Sequence, residues 1–281
     1  MLTDLSPLLN IFLLSLMASM GTGIGGLIAV LKRPGRRSYG LLMGITAGVM
    51  ITLAYLELVN EAWKLGGFWT ATIGFGVGAV FMFLLDFFAP HMRFGEIESH
   101  SADNSPPVYA SGDMFPGRRR YGRLRRGSNP YNLKLVNTGL LLAIGITLHN
   151  LPEGIAVGAG YLHNPQFGLF IAIAILLHNI PEGIATALPL CTGGICRRDA
   201  FVVAFLSGLA EPVGALLASF FLVTFSKLLP GALAFAGGVM VFITLDELIP
   251  TAREHGHQHY TALGIILGSV FVFILSGIFG V

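Results

Sequence analysis

The sequence predicts an all-α integral membrane protein that crosses the bilayer eight times and leaves both termini extracytoplasmic. Three observations carry this. Hydrophobic residues make up 54% of the 281 positions and charged residues only 11%, and the mean hydropathy is +0.74. Eight apolar stretches are each long enough for a hydrocarbon core of about 30 Å. The basic residues between them fall almost entirely into alternate loops.

The spans run over 6–30, 39–60, 67–89, 135–162, 166–190, 200–226, 230–249 and 261–281. The first is not a secretory leader: it lacks a basic n-region, Asp4 precedes it, and it exceeds an ordinary leader core. The 37 glycines suit transmembrane helices that pack closely. One set of loops holds fifteen Lys and Arg: Lys32, Arg33, Arg36, Arg37, seven Arg between Arg93 and Arg126, Lys134, Arg197, Arg198 and Arg253. The other set holds only Lys64 and Lys227. By the positive-inside rule the first set is cytoplasmic, and the plasma (inner) membrane is the expected location.

The chain thus divides into spans one to three (1–90), a cytoplasmic Arg-rich loop (91–134) and spans four to eight (135–281). The loop is rich in Ser, Pro, Gly and Arg, which predicts disorder. Its basic cluster suits anionic lipid headgroups, and no nucleic-acid partner is expected. Cys191 and Cys196 lie at the reducing side, so a structural disulfide is not expected there. Their spacing is not a zinc-ribbon pattern either, and small-residue packing accounts for them.

One hexapeptide occurs twice, as His149-Asn150-Leu151-Pro152-Glu153-Gly154 and His178-Asn179-Ile180-Pro181-Glu182-Gly183. His and Glu four residues apart share one helix face. At about 1.5 Å per residue, His149 lies about 20 Å before the turn between spans four and five, and His178 about 18 Å after it. An antiparallel pair therefore returns both to one depth, and Glu211 in span six reaches a similar depth. Glu153, Glu182 and Glu211 are deep, yet no span contains Lys or Arg. Such carboxylates take up a proton or are neutralised by a bound cation.

Three carboxylates, two imidazoles and the amides of Asn150 and Asn179 suit one or two divalent ions. Mixed N/O donors without thiolate favour Zn²⁺, Fe²⁺, Co²⁺ or Mn²⁺ over Ca²⁺ or Cu⁺. Pro152 and Pro181 remove helix hydrogen bonds beside the ligands, which suggests a hydrated path there. Gly154 and Gly158 allow close helix approach. Met50 in span two offers a thioether. Glu57 and Glu61, four apart near the outer end of span two, are candidates for recruiting cations. Asp246 and Glu247, at the inner end of span seven, are candidates for passing an ion on. Asp86 reads as a capping or snorkelling residue, and His163 as a polar tip on an external turn. His255, His257 and His259, in a polar loop over 253–259, are candidates for weak capture of a metal leaving the pore.

The paired hexapeptides, Ala210-Glu211-Pro212, the run Ile243-Thr-Leu-Asp-Glu-Leu-Ile-Pro250 and the polar loop after span three resemble the ZIP (Zrt/Irt-like protein) metal transporters. The double HN-x-PEG form is similar to the bacterial ZupT/GufA-like branch. The resemblance implies a ZIP-type helix bundle that moves zinc, and often iron, manganese, cobalt or cadmium, into the cytoplasm. It implies a binuclear site of His149, Asn150, Glu153, His178, Asn179, Glu182 and Glu211, in which Glu153 and Glu182 bridge two ions. A Met in span two, here Met50, is a ligand in some members. The resemblance further implies a homodimer, and an elevator-like movement of spans one, four, five and six against the rest. The loop after span three is often His-rich in such proteins, whereas here it is Arg-rich.

Two other classes fit less well. A membrane metalloprotease needs an H-E-x-x-H helix, which is absent from the chain, and di-iron bundles use Glu-x-x-His. A proton-coupled carrier of another substrate, with Glu153 and Glu182 as relays, explains the carboxylates but not the paired His-Asn sets.

Overall fold

The computed structural model describes residues 7–32, 34–88 and 132–281, and every element among them is helical. The helices are α1 (Pro7–Leu31), α2 (Arg36–Thr52), α3 (Asn60–Phe88), α4 (Leu133–His163), α5 (Pro165–Thr192), α6 (Arg197–Gly208), α7 (Ala210–Thr224), α8 (Leu229–Ile243), α9 (Ile249–His255) and α10 (Gln258–Phe279). π-Helical turns join α2 to α3 over Leu53–Val59 and α8 to α9 over Thr244–Leu248. Residues 91–131 of the Arg-rich loop lie outside the described residues.

Seven continuous helical runs among the described residues are long and apolar enough to cross a membrane. One of them, Arg36–Phe87, has 52 residues, or about 78 Å at 1.5 Å per residue. It is not straight: Gly67 sits at φ 76°, ψ 175°, outside helical geometry. A positive φ costs little only for glycine, so the chain turns there between two arms.

The α4–α5 connection is shorter than a loop. Asn164 alone lies between the two helices, in extended backbone at φ −153°, ψ 126°. Its side chain accepts from the Gln166 N–H at 2.8 Å, and Pro165 occupies the first turn of α5. An Asx cap followed by proline is a strong helix start, and it folds α5 back along α4 as the spacing predicts. The polar loop expected over 253–259 is mostly absent. α9 runs on to His255 and α10 begins at Gln258. Gly256 packs so closely on Gly40 that a Cβ there would strike the Gly40 backbone, which explains the tight corner.

The helices pack as two blocks. α1 lies along α5 and touches α6 and α7, while α4 packs on α5 and α7. In the second block α3 lies along α8, and α2 along α10 and α9. The blocks meet chiefly where α4 faces α8 and α2 faces α5. Within a bilayer such packing depends on backbone approach rather than apolar burial. Gly154 illustrates it: a Cβ there would collide with the Glu211 carbonyl of α7. The periphery is strongly apolar, with Trp69, Phe220 and Ile278 each more than 70% exposed. The interior is apolar for the most part but also holds buried Asn, Ser, Thr, His and Glu. An apolar periphery enclosing such polar groups is the reverse of the polar surface of a water-soluble bundle, as lipid requires.

Candidate metal centre

Both prolines of the repeated hexapeptide lie inside unbroken helices, Pro152 in α4 and Pro181 in α5. Glu153, His178 and Glu182 are fully buried and offer ligand atoms that lie within 4.8 Å of one another. His178 Nε2 is 3.2 Å from Glu153 Oε1. An imidazole nitrogen and carboxylates from two neighbouring helices thus face one point, the donor chemistry of a divalent site.

Glu211 joins this group through an amide. Its Oε2 accepts from Asn179 Nδ2 at 2.9 Å, and the same amide lies 3.3 Å from the Ala18 carbonyl of α1. Pro212 has no N–H for the Gly208 carbonyl, and the helical run breaks at Leu209 (φ −69°, ψ −6°). The break puts Glu211 in the first turn of α7, where a helix N-terminus favours negative charge. It also presents the Ser207 carbonyl, which accepts from Asn150 Nδ2 at 3.0 Å. Both Asn side chains spend their N–H donors on protein, while Asn150 Oδ1 and Asn179 Oδ1 are buried without hydrogen-bond partners. Orphaned oxygens of this kind, together with Glu153 Oε2 in the same condition, are what a bound cation would satisfy.

His149 does not enter the three-residue group. Its Nε2 lies 3.3 Å from Glu247 Oε2, contributed by the π turn beyond α8. Glu247 is buried, feels the charges of Asp86, Asp246 and Glu182, and Asp246 beside it is exposed. Asp86 is itself only 6% exposed, so it does not snorkel to the surface. Among the described residues no Lys or Arg side chain is buried to offset these carboxylates.

Met50 is fully buried on α2, and its Sδ lies 3.7 Å from the Thr244 hydroxyl. One turn earlier, Thr46 donates to the His178 carbonyl at 3.1 Å, which sets this stretch of α2 against the site. Glu57 is buried within the π turn after α2. Glu61 is partly exposed and paired with Lys64 at 2.9 Å and with His163 at 3.0 Å. His163 is therefore a partnered side chain rather than a free polar tip. His257 and His259 are exposed with ring centroids 5.7 Å apart, and the His255 side chain lies outside the described residues. Sequence reasoning missed the contributions of Thr46, Ser207 and Asp86. Only Asp86 left a signal, as a charge inside an apolar span.

Among the described residues, long apolar helices with a buried His/Glu/Asn cluster and no buried Lys or Arg side chain mark a multi-pass membrane protein. A family model described as ZIP zinc transporter matches residues 96–276. The chain is 38% identical to a zinc transporter ZupT of Akkermansia muciniphila, over 97% of this chain and 99% of that protein. It is 39% identical to a ZupT of Chlorobium phaeovibrioides (95% and 96% covered) and 34% to one of Clostridium perfringens (95% of each). The chain belongs to the ZIP family.

Proposed function

We propose that this protein carries divalent metal ions, zinc foremost, into the cytoplasm by alternating access through the centre between α4, α5 and α7. The observation that carries the reading is the convergence of Glu153, His178 and Glu182, together with unpaired amide oxygens and, among the described residues, no buried Lys or Arg side chain. A proton relay has no use for those amide oxygens, whereas an M²⁺ ion does. Two ion positions suit the donor set. Glu153 and Glu182 bridge them, and His149, His178, Asn150, Asn179 and Glu211 complete the ligation, with Met50 as a thioether ligand. Fe²⁺, Mn²⁺, Co²⁺ and Cd²⁺ are further substrates on the same donor chemistry.

The long helical run through Gly67 is read as two spans, because about 78 Å is more than twice the hydrocarbon thickness. That gives eight spans, with both termini outside the inner membrane, and the protein acts as a homodimer in contact with its lipids. Glu57 and Glu61 stand at the entrance. Asp246 and Glu247 receive the ion on its way out, with His149 facing Glu247. His255, His257 and His259 lie at the cytoplasmic mouth, where they capture the released metal weakly.

Zinc uptake into proteoliposomes tests the reading. Glu153→Ala and Glu182→Ala should each abolish uptake while membrane insertion persists, and undiminished accumulation in either variant refutes the ligand roles. Anomalous scattering from cadmium-soaked crystals should place an ion between α4, α5 and α7.

A further inference from the structure

We infer that Glu61 and His163 form a latch between the two helical blocks, closing the end of the bundle at the α4–α5 corner, and that it opens when the metal centre turns toward that side. The inference rests on the alternating-access reading above. Its geometry stands without it.

Each partner comes from a different block. Glu61 lies in the first turn of α3, which packs along α8, and His163 ends α4, which packs on α5 and α7. Glu61 Oε1 is 3.0 Å from His163 Nε2. The carboxylate's other oxygen is 2.9 Å from Lys64 Nζ, three residues along the same helix, which braces Glu61 from its own side. His163 is held from its side by an edge-on contact with Phe167, with ring centroids 5.8 Å apart at 88°. Both side chains are thus fixed by their own blocks and meet only across the seam.

The surroundings suit a joint that opens. His163 borders a cavity of about 530 Å³ lined from both blocks, by Leu65, Gly66 and Thr70 on one side and Leu162 and His163 on the other. The turn at Gly67 lies next to it. The side chains are 19% and 24% exposed, so water is at hand to solvate each group when they part. A fully buried pair would lack that substitute and resist separation. A relative slide of the blocks along this seam parts Glu61 from His163, because neither element carries both groups.

The test is a Glu61→Cys/His163→Cys variant of the full chain on a Cys191→Ser/Cys196→Ser background, reconstituted with a zinc-sensitive dye inside the vesicles. Closing the pair with diamide or a short bis-maleimide should cut uptake to about a tenth or less, and reducing the diamide product should restore it to within about twofold. Cross-linked protein, verified by mass spectrometry, that still transports at the reduced rate overturns the latch. So does a pair that neither reagent can join. Separately, His163→Gln and Glu61→Gln should each raise amide exchange in segments 60–68 and 160–168 by about threefold or more, and unchanged exchange overturns the latch as well. If even the unmodified protein fails to take up zinc, the transport reading is what falls, and the exchange measurement still decides on the latch.

Discussion

The two copies of the hexapeptide are nearly identical in sequence and end in different company. In the α5 copy, His178 turns inward to Glu153 and Asn179 holds Glu211. In the α4 copy, His149 reaches across the block seam to Glu247, and Asn150 is fastened to the Ser207 carbonyl. Only the two glutamates behave alike, meeting in one three-residue group with His178. A repeated motif therefore dictates which groups arrive at a given depth. Neighbouring helices decide what each of them touches.

Removing the shared element should have the largest effect. Glu153→Ala and Glu182→Ala should each lower zinc uptake by about a hundredfold or more, because each takes a carboxylate from the point where the copies meet. A smaller loss from one of them would show that the copies are less coupled than their geometry implies. The histidines should then separate. His178→Ala should weaken equilibrium zinc binding by roughly ten- to a hundredfold, and His149→Ala by about tenfold less, with its main effect on the transport rate. Isothermal titration beside initial-rate uptake distinguishes them, and equal affinity losses would erase the distinction.

Acidification acts on both copies at once, since imidazole and carboxylate donors bind metal only when deprotonated. Uptake at pH 5 should be about a tenth or less of that at pH 7, and recovery should track the return of binding on titration back. The smallest effect belongs to the amide on α4. Asn150→Leu leaves the Ser207 carbonyl without its donor, which should lower thermal stability by about 1–3 kcal/mol. Asn179→Leu should cost more, because it abandons a carboxylate as well as a carbonyl.

Much of this was legible in the residues. A turn between spans four and five followed from the gap between their apolar runs, and the similar distances to His149 and His178, about 20 and 18 Å, followed from helix rise alone; the one-residue form of the corner at Asn164 did not. The convergence of Glu153, His178 and Glu182 needed little more than the antiparallel pairing. Other features were not legible, because they depend on contacts distant in sequence. Thr46 reads as an ordinary polar residue until α2 lies against α5. Glu247 reads as an inner-end acid until its π turn brings it to His149. The stretch over 253–259 looked like a loop from polarity, yet Pro250 in the first turn of α9 and the close Gly40–Gly256 contact keep it almost entirely helical.

The π turns at Leu53–Val59 and Thr244–Leu248 carry a further implication. Each accommodates an extra residue within an otherwise regular helix. Deleting a single amino acid from either segment would restore ordinary winding and leave the downstream helix on nearly its present face, because the wider turn has already absorbed the extra residue. Deleting one from the regular helix just before it would instead swing everything downstream by about 100°. Glu61 or the Arg253 region would then face the wrong way, so a deletion within α2 or α8 should be far more damaging than one within the π turn that follows it.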